Sequence, residues 1–258
     1  MSTRPPVVAN WKMHLGPSGT LEYLADLLPR LRDSARRCDI ALAPPFVSLP
    51  AAAAALAGTE VALAAQDTSW EEEGPFTGEI SAGMLKESGC RFVIVGHSER
   101  REHFGDTDRR VNRKARAVLF CGMTPIICVG EKADERASGR VYEVVETQLT
   151  RALSGIRLHE EESLAIAYEP VWAIGSGRSA SPAEAVDVHR RIRMELDSAF
   201  GEAASSRIRV LYGGSVSKDN AGDLLSTPGI DGALVGGASL DAESFAAICL
   251  AAGPGGRE

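Results

Sequence analysis

The sequence lacks any long hydrophobic run, and this argues against a segment that spans a membrane. No stretch of about 18 consecutive apolar residues occurs, and the first residues, MSTRPPVVAN, have no apolar run after a basic start. It also lacks an excess of positive charge, since 28 Lys and Arg face 35 Asp and Glu and leave a net charge of −7. We therefore expect no secretion, no membrane and no nucleic acid as partner, and an anionic substrate needs a locally positive site.

Cysteine is scarce, and linkers and nucleotide fingerprints are missing. The five cysteines are odd in number and have no metal-ligand spacing: Cys38, Cys90, Cys121, Cys128 and Cys249. Reduced thiols packed in a core fit this pattern, so we expect a cytoplasmic protein without a metal site. No Gly-rich dinucleotide motif appears early, and no linker rich in Pro, Gly or Ser divides the chain. We expect one domain over residues 1–258.

What the chain does contain is a repeated alternation of short apolar segments and helical stretches. Eight segments are apolar nearly throughout, at 6–12, 39–45, 61–67, 92–99, 124–131, 164–170, 208–215 and 232–239. Such segments are typical of parallel strands covered on both faces. Helices are predicted between them, at 20–32, 49–57, 82–87, 108–120, 141–153, 183–200, 218–225 and 242–250. Eight units in about 250 residues predict an α/β fold, a closed (β/α)8 barrel of eight parallel strands surrounded by helices.

The segment LAIAYEPVWAIGSGRSA, residues 164–180, joins a carboxylate to a glycine-tipped loop. A predicted strand ends at Glu169, Pro170 stops the ladder, and the glycines that follow expose backbone N–H groups. Ser181 then predicts a helix N-cap, with Pro182 at the first position and Glu184 as capping-box partner. The pattern predicts a base that a moving loop can enclose around a small anion.

The carboxyl ends of the predicted strands form the expected mouth of the barrel. They bring together a cation, an imidazole, a carboxylate and glycine groups: Asn10, Lys12, His97, Glu169, Gly213-Gly214-Ser215 and Gly236-Gly237. This set fits proton abstraction next to a carbonyl, with backbone donors for a phosphate. Taken singly, Lys12 is also typical of a surface residue and His97 of a loop histidine. His14, His103, His159 and His189 have no such placement, and we expect them to be surface or helix residues.

The chain resembles the triosephosphate isomerases along essentially its whole length. The matching motifs are Asn10-Trp11-Lys12-Met13, SAGMLKESGCRFVIVGHSERR (81–101), TPIICVGE, AYEPVWAIGSG, YGGSV and GALVGGASL. The resemblance implies interconversion of dihydroxyacetone phosphate and glyceraldehyde 3-phosphate, in glycolysis and gluconeogenesis, without a cofactor. It implies that Glu169 is the base, that neutral His97 polarises the oxygens, that Lys12 and Asn10 hold the substrate, and that Glu99 supports His97. The residues that it implies for phosphate are Gly175, Ser215, Gly236 and Gly237.

By the same resemblance, the loop at 68–78 reaches into a partner subunit, with Thr77 near its tip, and the protein is a homodimer. The alternative is an acidic surface loop of a monomer. The chain departs from the family pattern at Ser176-Gly177-Arg178-Ser179-Ala180, and at Asp67, where Asn is commoner. Two other functions stay open: an isomerase for a four-carbon ketose phosphate such as erythrulose phosphate, and a barrel that binds phosphate without catalysis.

Overall fold

Eight parallel strands close into a barrel in which each strand pairs with the next and β1 pairs with β8. The computed structural model describes residues 4–32, 34, 37–160, 162–174 and 180–252. The strands are β1 (Pro6–Asn10), β2 (Asp39–Ala43), β3 (Ala62–Ala65), β4 (Cys90–Val95), β5 (Thr124–Val129), β6 (Ala165–Tyr168), β7 (Arg209–Tyr212) and β8 (Gly232–Val235). The predicted closed (β/α)8 barrel is confirmed.

Helices follow the strands around the outside of this barrel. Those in the described part are α1 (Pro17–Arg30), α2 (Leu49–Leu56), α3 (Ala82–Glu87), α4 (Ser98–His103), α5 (Asp108–Phe120), α6 (Ala133–Ala137), α7 (Val141–Ala152), α8 (Pro182–Phe200), α9 (Glu202–Ser205), α10 (Ala221–Ser226) and α11 (Ala242–Ala251). The predicted bounds of α3 and α5 are confirmed, whereas α1 begins three residues before the expected Thr20. Helices α6 and α9 were not predicted because each is too short to show a hydrophobic period.

The predicted strands run too far at their carboxyl ends. Strand β1 ends at Asn10 instead of residue 12, and β6 ends at Tyr168 instead of residue 170. Trp11, Glu169 and Pro170 are as buried as the strands themselves, and the N–H groups of Trp11 and Glu169 still donate to the neighbouring strands, but the chain then turns to build the mouth of the barrel. Overrun therefore occurs at the end of the barrel where the candidate site residues lie.

The strands are buried on both faces, which accounts for their continuous apolar character. One set of side chains fills the barrel interior, including Val8, Ile94, Ile126, Leu211 and Leu234. The alternate positions, such as Val7 and Ala9 on β1, pack outward against the helices in a larger cluster. Two packed layers thus hold the strand ends at fixed positions relative to one another.

Most of the cysteines are buried, as expected for thiols packed in the core. All five cysteines are free, and Cys121 is the one that is partly exposed. Within the described ranges, no helix is long and apolar enough to cross a membrane.

Candidate active site

A cavity of about 430 Å³ opens at the carboxyl ends of the strands. Its wall includes most of the residues that the sequence predicted for the site: Asn10, Lys12, His97, Glu169, Ser215, Gly236 and Gly237. Gly175 lies outside the described residues, as do positions 176–179 of the altered loop. The mouth of the barrel therefore collects a base, an imidazole and a cation around one small volume.

Glu169 follows β6 directly, and its side chain is almost completely buried. Its Oε2 accepts a hydrogen bond of 2.8 Å from the backbone N–H of Ser98. Its Oε1 lies 2.9 Å from Nε2 of His97 but has no aligned hydrogen-bond donor among the described residues. A buried carboxylate oxygen without an aligned donor costs free energy.

Two glycines make room for Glu169. A Cβ atom at Gly130 would lie 1.7 Å from the backbone oxygen of Glu169, and one at Gly213 would lie 2.9 Å from its Cγ. The Gly213 N–H also donates to the Tyr168 carbonyl at 2.7 Å, which ties β7 to the end of β6. Any side chain at Gly130 would displace the backbone that carries the base.

His97 is the N-cap of α4, the helix that begins at Ser98. The backbone N–H of Glu99 donates to Nδ1 at 3.3 Å, so Nδ1 is an acceptor and we assign the ring proton to Nε2. Burial alone would lower the pKa of His97, but the Glu169 carboxylate next to Nε2 outweighs burial and raises the pKa. The charge of the ring thus depends on where Glu169 lies.

Lys12 lies in a strained backbone conformation at the cavity wall. Its φ is +50°, in the left-handed region that non-glycine residues rarely occupy, and Asn10 Oδ1 accepts from its N–H at 3.0 Å. Its ammonium pairs with Glu99 at 2.5 Å, and this ion pair lowers the pKa of Glu99 although burial acts in the opposite direction. Glu99 therefore lies behind His97 and beside Lys12 rather than in the cavity wall.

The other side of the cavity consists of two backbone turns after β7 and β8. Asn220 fixes the first turn, because its Oδ1 accepts from Ser217 N at 2.8 Å and its Nδ2 donates to Ser215 O at 3.0 Å. The second is a short 3-10 helix, Gly237–Leu240, that begins after Gly236. The first N–H groups of a helical turn have no partner within the turn, so they suit an anion.

The sequence missed several residues of the site. His14 is exposed as expected, yet it also lines the cavity, together with Ser217. Glu131 is fully buried after β5 and accepts hydrogen bonds from the Tyr168 hydroxyl at 3.0 Å and from Trp172 Nε1 at 2.8 Å. Nothing in the sequence around Glu131 indicated that it accepts these hydrogen bonds. The Ser181–Glu184 capping box at the start of α8 is confirmed.

Asp67, the second departure from the family pattern, lies in a buried ionic cluster. Its carboxylate pairs with Lys114 at 2.7 Å and with Arg100 at 2.8 Å, and Asp106 pairs with the same two cations. Burial raises the pKa of Asp67 despite these cations. Across the described ranges, no group of three or more His, Cys, Asp or Glu is arranged to hold a metal ion.

Comparisons with known proteins agree with this geometry. The family model described as triosephosphate isomerase matches residues 5–252. A protein named triosephosphate isomerase from Thermus thermophilus is 49% identical over 250 residues, which is 96% of this chain and 98% of the relative. Its namesake from Pelobacter propionicus is 49% identical over 244 residues, covering 94% and 97%. The crystal structure of triosephosphate isomerase from Bartonella henselae matches with a TM-score of 0.87 and 38% identity, covering 96% of this chain and 98% of that one. The chain therefore belongs to the triosephosphate isomerase family, and its activity is the interconversion of dihydroxyacetone phosphate and D-glyceraldehyde 3-phosphate.

Proposed function

We propose that Glu169 is the base of this isomerisation and that His97, Lys12, Asn10 and Glu99 complete the catalytic group. The observation that carries the proposal is the convergence of a buried carboxylate, an imidazole and an ammonium on one cavity. Glu169 takes a proton from one carbon of the substrate, which leaves an enediolate, and returns it to the neighbouring carbon. A dry site and fixed donors make both transfers possible near neutral pH.

Glu169 must leave its present contacts to reach a substrate carbon. It then gives up the hydrogen bond from Ser98 and moves away from His97 Nε2. The pKa of His97 falls when the carboxylate departs, because that carboxylate is what offsets burial. A neutral imidazole is left, and its Nε2–H donates to the substrate oxygens while Nδ1 still accepts from Glu99.

Lys12 and the two backbone turns bind the charged ends of the substrate. The protein as a whole is acidic, so the dianion needs a cation supplied within the cavity. Lys12 lies against the phosphate side as well, since a Cβ at Gly236 would be 3.4 Å from its Cε. Asn10 orients Lys12 through its backbone N–H, and Ser215, Gly236, Gly237 and Gly175 receive the phosphate.

The test of the base is Glu169→Gln, which keeps the shape of the side chain and removes its basicity. We expect kcat to fall by about 10²-fold or more, as the loss of a general base implies, with KM changing little. Glu195→Gln, a partly buried acid on α8 remote from the cavity, is the matched control and should keep full activity. Near-full activity of Glu169→Gln would refute the mechanism. A separate measurement, the ratio of kcat/KM on three-carbon and four-carbon ketose phosphates, tests the substrate class.

The proposed assembly is a homodimer formed through the loop at 68–78. Within this loop residues 72–78 are exposed, and the loop carries Phe76, whose side chain remains 43% exposed. Met13, next to Lys12, is 93% exposed, and Met84 on α3 is 52% exposed. Large apolar side chains left in water beside a site support burial by a second copy of the chain.

The chain forms a single domain, in our proposal, and works in the cytoplasm. The pairing of β1 with β8 supports a single domain over residues 1–258, because strands from both ends of the chain close the same barrel. A cytoplasmic location is supported by the five free cysteines, which a reducing compartment preserves, and by the glycolytic family.

A further inference from the structure

Arg136 on α6 contacts Trp172, near the start of the connection between β6 and α8, and Glu184, in the first turn of α8 just after that connection. We call this segment the β6–α8 connection and define it as residues 169–181. Its guanidinium lies over the ring of Trp172, with Cζ 4.4 Å from the ring centroid. Its Nη1 is 3.3 Å from Glu131 Oε1, and its Nη2 pairs with Glu184. We propose that Arg136 is a positioning residue for the isomerisation, which fixes the two ends of the connection that begins with the base.

The amino end of the connection depends on Glu131. This carboxylate is completely buried and receives the Tyr168 hydroxyl and the Trp172 indole N–H, one residue before and three residues after Glu169. Burial and the Glu131 charge raise the pKa of Tyr168, so the phenol keeps the proton that it donates. Arg136 supplies the positive charge for Glu131, and loss of one partner of a buried ion pair leaves an uncompensated charge.

The carboxyl end depends on Glu184, whose two oxygens have different tasks. Oε2 accepts from the backbone N–H of Ser181 at 2.9 Å and from its hydroxyl at 2.8 Å, which closes the capping box of α8. Oε1 faces Arg136. One planar guanidinium therefore bridges the first turn of α8 and the Trp172 segment, and an ammonium cannot reproduce its fork and stacking together.

The consequence for catalysis rests on the proposed role of Glu169. An enediolate phosphate is either reprotonated on carbon, which gives product, or loses phosphate by cleavage of its C–O bond, which gives methylglyoxal and free phosphate. The first outcome requires Glu169 to stay close to the carbon and the phosphate to stay fixed. If Arg136 sets the ends of the connection, its removal slows proton transfer and raises the share of turnovers that end in free phosphate.

The experiment compares Arg136→Gln with Arg191→Gln. Arg191 is matched because it is 36% exposed, against 29% for Arg136, and contacts two carboxylates, Glu146 and Glu195, that lie on α7 and α8 away from the connection. Both full-length variants are assayed for kcat, KM, free phosphate per turnover and thermal unfolding. We expect Arg136→Gln to lose about tenfold or more in kcat and to release more phosphate, and Arg191→Gln to match the unsubstituted chain. Arg136→Lys should recover part of kcat.

Equal kcat and equal phosphate share in Arg136→Gln and Arg191→Gln would overturn the proposal. If Arg136→Gln does not fold, Arg136→Lys is the deciding variant, because it keeps a positive charge for Glu131 but lacks the planar guanidinium. An unchanged kcat and an unchanged share of released phosphate in Arg136→Lys would then overturn the proposal. The role of Glu169 as the base is tested separately, because activity that survives in Glu169→Gln would refute that role alone.

Discussion

His189 on α8 should make the stability of this protein fall between pH 7 and pH 4. The side chain is completely buried, with Nδ1 3.0 Å from the Gly229 carbonyl and Nε2 without a hydrogen-bond partner in the described residues. Burial lowers its pKa to about 4, with a smaller contribution from Arg193 and an opposing one from the Gly229 hydrogen bond. Its ring packs edge-on against Tyr168, at 5.9 Å between centroids, so this residue lies beside β6, the strand that ends just before Glu169.

The sign follows from the two pKa values. As the pH falls below about 6.5, the ordinary value, the unfolded chain takes up a proton that the folded chain still excludes. The stability associated with neutral His189 is therefore complete above that pH and is lost as the pH approaches the folded value of about 4. The loss is about 2 kcal/mol at pH 5 and about 3 kcal/mol at pH 4, because a tenfold difference in proton affinity between the folded and unfolded chain corresponds to about 1.4 kcal/mol.

Urea unfolding of His189→Gln isolates this effect. Glutamine can donate to Gly229 but does not titrate, so the variant should lose about 3 kcal/mol less than the unsubstituted chain between pH 7 and pH 4, whatever its stability at pH 7. His159→Gln, at an exposed position, is the control and should follow the unsubstituted chain. Protein concentration is held constant because assembly shifts apparent stability. Parallel stability curves for His189→Gln and the unsubstituted chain would show that His189 is not the group responsible.

Two further predictions concern the substrate and the assembly. Lys12→Met should raise KM for the triose phosphates by about 10²-fold or more, and Lys12→Arg should restore only part, because a planar fork cannot replace an ammonium held in the left-handed backbone conformation. An unchanged KM and kcat would remove Lys12 from the site. In solution the mass by sedimentation should be about twice the chain mass of 27.3 kDa. A chain shortened at residues 71–78 to a tight turn should be a monomer of much weaker activity, whereas a fully active monomer of the unshortened chain would contradict a role of the partner.

The barrel was predictable from the sequence because few folds other than a barrel bury eight parallel strands on both faces. Val7, Val8 and Ala9 on β1 alternate between the helix layer and the barrel interior, so every position must be apolar. The residues Asn10, Lys12, His97 and Glu169 were predictable for a related reason. They are polar residues directly after such strands, and a closed barrel brings all strand ends to one mouth.

The supporting residues were not predictable, because nothing local distinguishes them. Glu131 follows β5 as an ordinary acid, and Arg136 occupies a five-residue helix with the composition of a solvated surface. Glu131 contacts Tyr168, which is 37 residues away in the sequence. Arg136 contacts Trp172 and Glu184, which are 36 and 48 residues away, and the closed barrel brings these residues together. Long-range polar contacts leave no period in a sequence.

The main chain and the carboxylate of Glu169 are held by different contacts. The main chain of Glu169 is held by its N–H, which donates to the Val129 carbonyl at 2.8 Å, and it passes close to Gly130 and Gly213, where an added Cβ atom would overlap its backbone or side chain. Its carboxylate is fixed by one N–H bond to Ser98 and by a contact with His97 that lacks hydrogen-bond alignment. In the proposed mechanism, the carboxylate exchanges these two contacts for a proton of the substrate. In the same proposal, the phosphate dianion of the substrate competes with Glu99 for the Lys12 ammonium. We therefore expect substrate binding to replace the internal partners of Glu169 and Lys12 with the reacting atoms.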